Sequence, residues 1–414
     1  MSATAHAVGV RRTSALGRLA RAAARAPMPV RALVASRLIV VGAGIAGSLM
    51  VPRRVGWWRV ADPTRLTERL GAIGNVLAAP SVRWDSIHYL GIAEHGYTSA
   101  SSVVFFPFYP MLVRLFGFLL GSDPLAGVLI SLVSVAVALM LLHRLTALEL
   151  GPRAADAAVL LLAFAPLSFF FSAVYTESLF LALSVGSIYA ARQGRWKLAC
   201  GLGCLASATR VTGVGLFGPL TIMYLRERRD LDRRFAWLLT VPAGLVAFLG
   251  YVALKGYGFL SPFAGQTGAD HGHQMTGPLQ TLVSAVQAAA AGAHSILSQP
   301  VYQPSLGGPL SDGAESIMLL GVLGLAVAVL VLVVRRLPIE YGAYALATLL
   351  VCIWSPVAGQ PLKSLDRYVL TIFPLWMAAG AWVSERRLVR PLVLVSAAML
   401  AFWTFQFATW AWVA

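Results

Sequence analysis

An all-α polytopic membrane protein is the fold class this sequence predicts, and three observations predict it. The chain of 414 residues is 58% hydrophobic and only 12% charged, with a mean hydropathy of +0.74. Apolar runs of about 20 residues recur along it, the length a helix needs to cross the hydrocarbon of a bilayer. The charges are lopsided, 33 Lys+Arg against 17 Asp+Glu, and sit in short runs between the apolar segments. That pattern follows from the positive-inside rule and anionic headgroups. A nucleic-acid binder would instead gather its basic residues on a soluble domain, and no such domain is visible. Cys200, Cys204 and Cys352 lie in apolar segments without CxxC spacing and read as core residues.

The elements follow in order. Residues 1–37 read as a basic, disordered cytoplasmic tail, whose Arg-rich, acid-free character also resembles a transit peptide. Residues 38–414 read as one transmembrane domain, its first membrane helix beginning near Val30. Residues 52–123 form a long, mixed extracytoplasmic loop. Within it the stretch from Ile92 and the stretch Tyr109 to Leu120 are predicted to lie along the membrane surface. Crossings are then expected at Leu125 to Leu145, Ala157 to Phe171 and Leu179 to Ala191.

Leu198 to Leu225 is bounded by basic loops on both sides, so both ends face the cytoplasm. About 28 residues are short for two full spans, which predicts two broken helices meeting near Thr209-Arg210. Further crossings are expected at Phe235 to Leu254, Ile317 to Val334, Glu340 to Trp354, Val369 to Val383 and Val389 to Trp412. The total is about 11, with a polar loop from Gly256 to Ser316 among them. No inverted repeat stands out.

In this tracing the arginine-rich loops fall on one side and four unusual polar clusters on the other. The first is Arg83-Trp84-Asp85-Ser86-Ile87-His88-Tyr89. If helical, Asp85, His88 and Tyr89 share one face; the alternative is a solvated cap beside an interfacial Trp. Tyr175-Thr176-Glu177-Ser178 offers either a helix cap or a substrate contact. Arg210, between two apolar pieces, must find an anion from the protein or from a ligand phosphate. Lys363 and Arg367, four residues apart, suit a phosphate held from one face, with Asp366 orienting either; the alternative is a charged rim. Phe105-Phe106-Pro107-Phe108-Tyr109-Pro110 reads as a stiff interfacial anchor or a wall for a lipid tail. Asp270, His271 and His273 read as a flexible loop rather than a metal site, and no metal is expected.

These residues resemble the PIG-V mannosyltransferases (GPI mannosyltransferase 2) and their bacterial relatives. The resemblance rests on Arg83-Trp84-Asp85, Gly96-Tyr97, Phe105 to Pro110, Ala165-Pro166-Leu167-Ser168, Tyr175 to Ser178, Ala208-Thr209-Arg210 and Arg367-Tyr368. It is specific from about Val82 to Gly213 and thinner beyond. At Ala208-Thr209-Arg210 eukaryotic members more typically carry Arg-Ser-Asn-Gly; here Val211-Thr212-Gly213 follows, so any role of that Asn does not transfer. The resemblance implies a GT-C-like helical bundle that moves mannose from polyprenyl-phosphate-mannose, outside the cytoplasm, to a glycolipid or glycan acceptor. It places the catalytic carboxylate at Asp85.

A phosphate leaving group needs no acid, so the chemistry asks for a base and for cations to hold developing negative charge. Asp85 is the expected base. Arg210, Lys363 and Arg367 are the expected phosphate holders, and His88 and Glu177 orient sugar or base. Arg83, Trp84, Tyr89 and Tyr368 complete the predicted substrate-binding set. No cofactor is expected beyond the lipid-linked donor; the partners are donor, acceptor and membrane lipid, not nucleic acid. A transporter of lipid-linked sugars is the alternative, but it would place charges along a path to both faces. A non-catalytic scaffold would not need Asp85.

Overall fold

The computed structural model of the chain describes residues 26–50, 62, 64–227, 233–265, 274, 276–298 and 310–413. Asp270, His271 and His273 lie outside the described residues. Among the described residues every regular element is helical, apart from one isolated bridge between Val357 and Gln360. Helices α1 (Met28–Met50), α2 (Gly71–Leu77), α3 (Ser86–His95), α4 (Phe108–Leu120) and α5 (Asp123–Leu150) form the first half. They are followed by α6 (Pro152–Ala163), α7 (Glu177–Arg192), α8 (Trp196–Thr209), α9 (Phe217–Glu227) and α10 (Ala243–Leu254). The second half holds α11 (Ser261–Ala264), α12 (Pro278–Ser298), α13 (Asp312–Arg336), α14 (Ile339–Cys352), α15 (Leu365–Val369), α16 (Phe373–Glu385) and α17 (Val389–Ala408). Five stretches among the described residues are long and apolar enough to cross a membrane: Met28–Met50, Asp123–Leu150, Phe235–Leu254, Asp312–Arg336 and Val389–Ala408.

Local chemistry sets the helix ends. Gly121 closes α4 in the left-handed region at φ 71°, and Ser122 caps α5 by accepting from the Leu125 N–H at 3.4 Å. Pro124 and Pro152 sit in first turns, where no N–H is missed. Helix α4 is 13 residues long, about 20 Å at 1.5 Å per residue, against about 30 Å of hydrocarbon. It buries Tyr109, Pro110, Val113 and Gly117 and exposes Met111, Leu115, Phe118 and Leu119, the two faces of a surface-lying helix.

Prolines and bends shorten several expected crossings. The stretch Ala157 to Phe171 is helical only to Ala163, because Pro166 disfavours helix in the residue before it. A 3-10 turn at Ser168–Phe171 follows, and the chain reaches Thr176 without regular helix. In Phe235 to Leu254, Pro242 separates a 3-10 segment from α10. Between Leu198 and Leu225 the expected break is present: α8 stops at Thr209 and Arg210 is extended at φ −153°, ψ 148°. A 3-10 segment Val211–Leu216 then leads into α9.

Two sequence expectations are corrected. Residues 28–37, grouped with the basic tail, belong to helix α1, and Arg37 is buried. Its guanidinium donates to Ser168 O at 2.7 Å, Ser172 Oγ at 2.8 Å, Ser168 Oγ at 2.9 Å and Ala163 O at 3.2 Å. Carbonyls freed by the Pro166 break therefore receive this cation. The loop from Gly256 to Ser316, read as polar, contains the 21-residue helix α12. Alanine-rich and only weakly apolar, α12 lacks a span-length hydrophobic signal. It packs on α13 through Gly292 and Gly313, where a Cβ on Gly292 would come within 2.6 Å of the Gly313 backbone.

Candidate active site

Four segments distant in sequence line one cavity of about 620 Å³: the start of α3, the start of α7, the α8 break, and α15 with the loop before it. Trp84, Asp85, His88, Tyr89, Glu177, Arg210, Lys363, Arg367 and Tyr368 all line it. Nine of the ten site residues read from the sequence are thus gathered. Arg83 does not line the cavity. It is buried, donates to Ala408 O at 3.3 Å and Val82 O at 3.0 Å, and lies 4.9 Å from the Trp410 ring centroid. Its place is to tie the motif to the chain after α17.

The turn bearing Asp85 is bent into place. Trp84 has φ 54°, a left-handed conformation that costs a non-glycine residue about 1 kcal/mol. Its indole N–H donates to Ala411 O at 3.2 Å, and its ring meets Trp410 and Trp412 edge-on at 5.8 and 4.9 Å. Asp85 then occupies the N-cap position of α3, but its side chain makes no cap bond. The Asp85 backbone N–H donates to Tyr175 Oη at 3.1 Å. The carboxylate, in the favourable field of a helix N-terminus, turns toward the cavity and accepts from Arg367 Nη1 at 2.8 Å.

Arg367 is shared. Its Nε lies 3.3 Å from Glu177 Oε1, and the same Oε1 accepts from Arg210 Nη1 at 2.8 Å. The side chains of Arg367, Arg210 and Glu177 are 10%, 15% and 2% exposed, against 23% for Asp85, so Asp85 is the most accessible of the four. Burial works against the Arg367 charge, but Asp85 and Glu177 together hold its pKa well above the ordinary arginine value. Thr176 stands at the N-cap of α7 without a side-chain cap bond; its Oγ1 receives Arg210 Nη1 at 3.4 Å. Tyr368 lies against both arginines, 5.0 Å from Arg210 and 5.3 Å from Arg367 to its ring centroid.

Lys363 does not join this cluster. Its Nζ sits 4.6 Å from the Trp412 ring centroid, because Ser364 turns left-handed at φ 63° before α15 begins. Lys363 and Arg367 therefore stand at separate points of the wall. Asp366 orients neither side chain: its Oδ1 accepts the Arg367 backbone N–H at 2.8 Å. Burial pushes the Asp366 carboxyl from 3.8 to about 7, the Arg367 N–H opposing and the charge of Glu315 adding. His88, on the exposed side of α3, stacks on Phe105 at 4.6 Å. Apolar side chains also line the cavity: Val104, Phe105, Phe106, Phe263, Val351 and Val357. Sequence reasoning missed Tyr175 as the partner of the Asp85 backbone and Trp412 and Cys352 as wall residues. A tryptophan-rich terminus is a visible signal for Trp412; nothing local marks Cys352.

The fold and cavity describe a helical, multi-pass membrane protein with one carboxylate-arginine cluster beside an apolar wall. Among known proteins, residues 65–228 match the family described as Mannosyltransferase (PIG-V), a stretch that includes Asp85, Glu177 and Arg210. The chain is 37% identical over 154 residues to GPI alpha-1,6-mannosyltransferase 2 of Cricetulus griseus, a stretch covering 33% of this chain and 30% of that protein. It is 30% identical over 155 residues to GPI mannosyltransferase 2 of Cryptococcus neoformans, covering 35% of this chain and 36% of that one. With the Homo sapiens GPI alpha-1,6-mannosyltransferase 2 it shares 33% over 202 residues, 41% of this chain and 40% of the other. The chain thus spans about a third of the length of the first of these relatives. The apo oligosaccharyltransferase of Archaeoglobus fulgidus superposes with a TM-score of 0.41 and 12% identity, over 92% of this chain and 56% of that one. At that score no shared fold follows.

Proposed function

We propose that the protein is an inverting glycosyltransferase that moves mannose from polyprenyl-phosphate-mannose to a glycolipid or glycan acceptor on the extracytoplasmic face of a membrane. The observation that carries this reading is the Asp85 carboxylate, held at 2.8 Å by Arg367 in a cavity that also presents Arg210 and Lys363. Asp85 is the most accessible of the clustered acids and bases and takes the proton of the acceptor hydroxyl, a contribution of about 10²–10⁴-fold. Arg210 and Arg367 stabilise the charge growing on the departing phosphate; Lys363, against Trp412, reaches the same space from another wall. His88, stacked on Phe105, borders the sugar. The apolar wall from Val104 to Phe106 receives the first prenyl units, and the membrane fixes the depth of the donor. Attack on the face opposite the phosphate turns a β-linked donor into an α-linked product, the linkage named for the Cricetulus griseus and Homo sapiens relatives.

Mannose rests on the family match over residues 65–228, since the cavity chemistry would serve other hexoses equally. The test is transfer of radiolabelled polyprenyl-phosphate-mannose by purified protein in lipid, with a membrane-lipid extract as acceptor. Wild type transfers, and Asp85→Asn loses about 10³-fold in rate while donor binding is kept. Transfer by Asp85→Asn at the wild-type rate would overturn the assignment of the base. Absence of donor binding to wild type would favour another sugar or the transport of lipid-linked sugars.

A further inference from the structure

Glu177 stands in the first turn of α7, where a carboxylate satisfies a helix N-terminus without leaving solvent. Here it is 2% exposed, and its side chain is turned inward onto two guanidiniums. A single oxygen, Oε1, lies 2.8 Å from Arg210 Nη1 and 3.3 Å from Arg367 Nε. The two arginines come from unrelated places, one from the break after α8 and the other from α15. Without an anion between them, two guanidiniums drawn to one buried point repel, and Arg367 has Asp85 as a second carboxylate to follow. The other oxygen, Oε2, is buried and has no hydrogen-bond partner among the described residues, while Glu177 itself lines the cavity. The arginines therefore do not saturate the carboxylate, and one buried acceptor is left over in a residue that lines the cavity.

We propose that Glu177 is a positioning residue: it yokes Arg210 and Arg367 through one shared oxygen into a single anion clamp. The inference rests on the reading that this site holds a lipid-linked phosphate. Two consequences distinguish the yoke from a residue that merely supports the fold. Neutralising Glu177 weakens anion binding although it removes a negative charge from the cavity. Glu177 and Arg210 also act as one unit, so their losses do not multiply.

The experiment is a binding titration in micelles with farnesyl methyl phosphate, a monoanionic prenyl phosphodiester that carries no sugar and cannot be turned over. Glu177→Gln, Arg210→Gln and the double variant are compared with wild type, each shown to be monodisperse and helical. Each single substitution is expected to weaken binding by about tenfold or more, the scale of one charge-assisted hydrogen bond. The double variant should lose little beyond either single one. Glu177→Asp, which keeps the charge one methylene back, should retain more affinity than the Gln variant, and it carries the test should that variant not fold. Binding by Glu177→Gln as tight as wild type, or losses that multiply in the double variant, would overturn the inference and leave the proposed function standing. No binding of the probe to wild type would overturn the phosphate-site reading and this inference with it.

Discussion

Replacing Arg367 by Ala should destabilise the protein through the carboxylates it leaves behind more than through the contacts it deletes. Arg367 is 10% exposed and pairs with Asp85 at 2.8 Å and with Glu177 at 3.3 Å. Removing one partner of a buried pair costs about 3–5 kcal/mol, because the other charge stays buried and uncompensated. Two features reduce that here: Asp85 is 23% exposed to the cavity, and Glu177 keeps Arg210 at 2.8 Å. The expected cost is therefore about 2–3 kcal/mol. Asp85→Asn alone strands the same guanidinium only in part, since Glu177 remains beside it, and should cost about 1–2 kcal/mol. The double variant has neither the stranded anion nor the lost pair to account for twice. It should be destabilised by about as much as Arg367→Ala alone, a coupling of about 1–2 kcal/mol. The assay is an SDS titration of protein in mixed micelles, followed by tryptophan fluorescence. Additive losses within about 0.5 kcal/mol would refute the reasoning, because the pair would then carry no net interaction.

Three further outcomes follow from other parts of the molecule. Arg37→Met removes donors to Ser168 O, Ser168 Oγ, Ser172 Oγ and Ala163 O, and should cost about 2–4 kcal/mol. Hydrogen exchange should rise first at residues 164–176; unchanged exchange there would dissociate Arg37 from the break. Gly292→Val places a Cβ within 2.6 Å of the Gly313 backbone, so α12 and α13 must part, at a cost of about 1–3 kcal/mol in melting experiments. An unshifted melting temperature would deny the close helix crossing. Asp366 holds its proton in the folded chain up to about pH 7 and gives it up near 3.8 when unfolded. The folded state binds the extra proton between those values, so stability falls as pH rises from about 4 to 7 and is level above. The change is at most about 4 kcal/mol at ~1.4 kcal/mol per pH unit. Asp366→Asn keeps an acceptor for the Arg367 N–H and should abolish that slope; a slope equal to wild type would assign it elsewhere.

Much of the site was legible in the sequence because charge near lipid is costly and therefore informative. Asp85, Glu177, Arg210 and Arg367 stood out as ionisable residues in or beside apolar segments, and all four meet in one cavity. Arg83 sat in the same motif and gave the same signal, yet it packs away from the cavity onto Ala408 O. Adjacent residues on a sharp turn point to different sides, and only the left-handed Trp84 backbone decides which side each one takes. Arg37 gave no signal of its own, because among neighbouring arginines it read as the end of a basic tail. The break in α8 was legible from length and loop charge; the break after α6 was present in Pro166 but was read as part of a crossing. Helix α12 was hidden because its alanine-rich face carries little hydropathy.

What the sequence determined by itself is the class of protein and its inventory: an all-helical membrane chain, basic loops between apolar segments, and a few ionisable residues that must find partners. Those follow from local quantities, the hydropathy of a stretch and the cost of a charge in hydrocarbon, which do not depend on what packs beside them. Tertiary structure alone decided who pairs with whom. Asp85 and Arg367 are 282 residues apart, and nothing local distinguishes that pairing from Asp85 with Arg210 or Lys363. Electrostatic attraction favours any such pair about equally; the choice is made by where the start of α3, the end of α8 and α15 lie relative to one another, and that is set by the packing of their apolar faces.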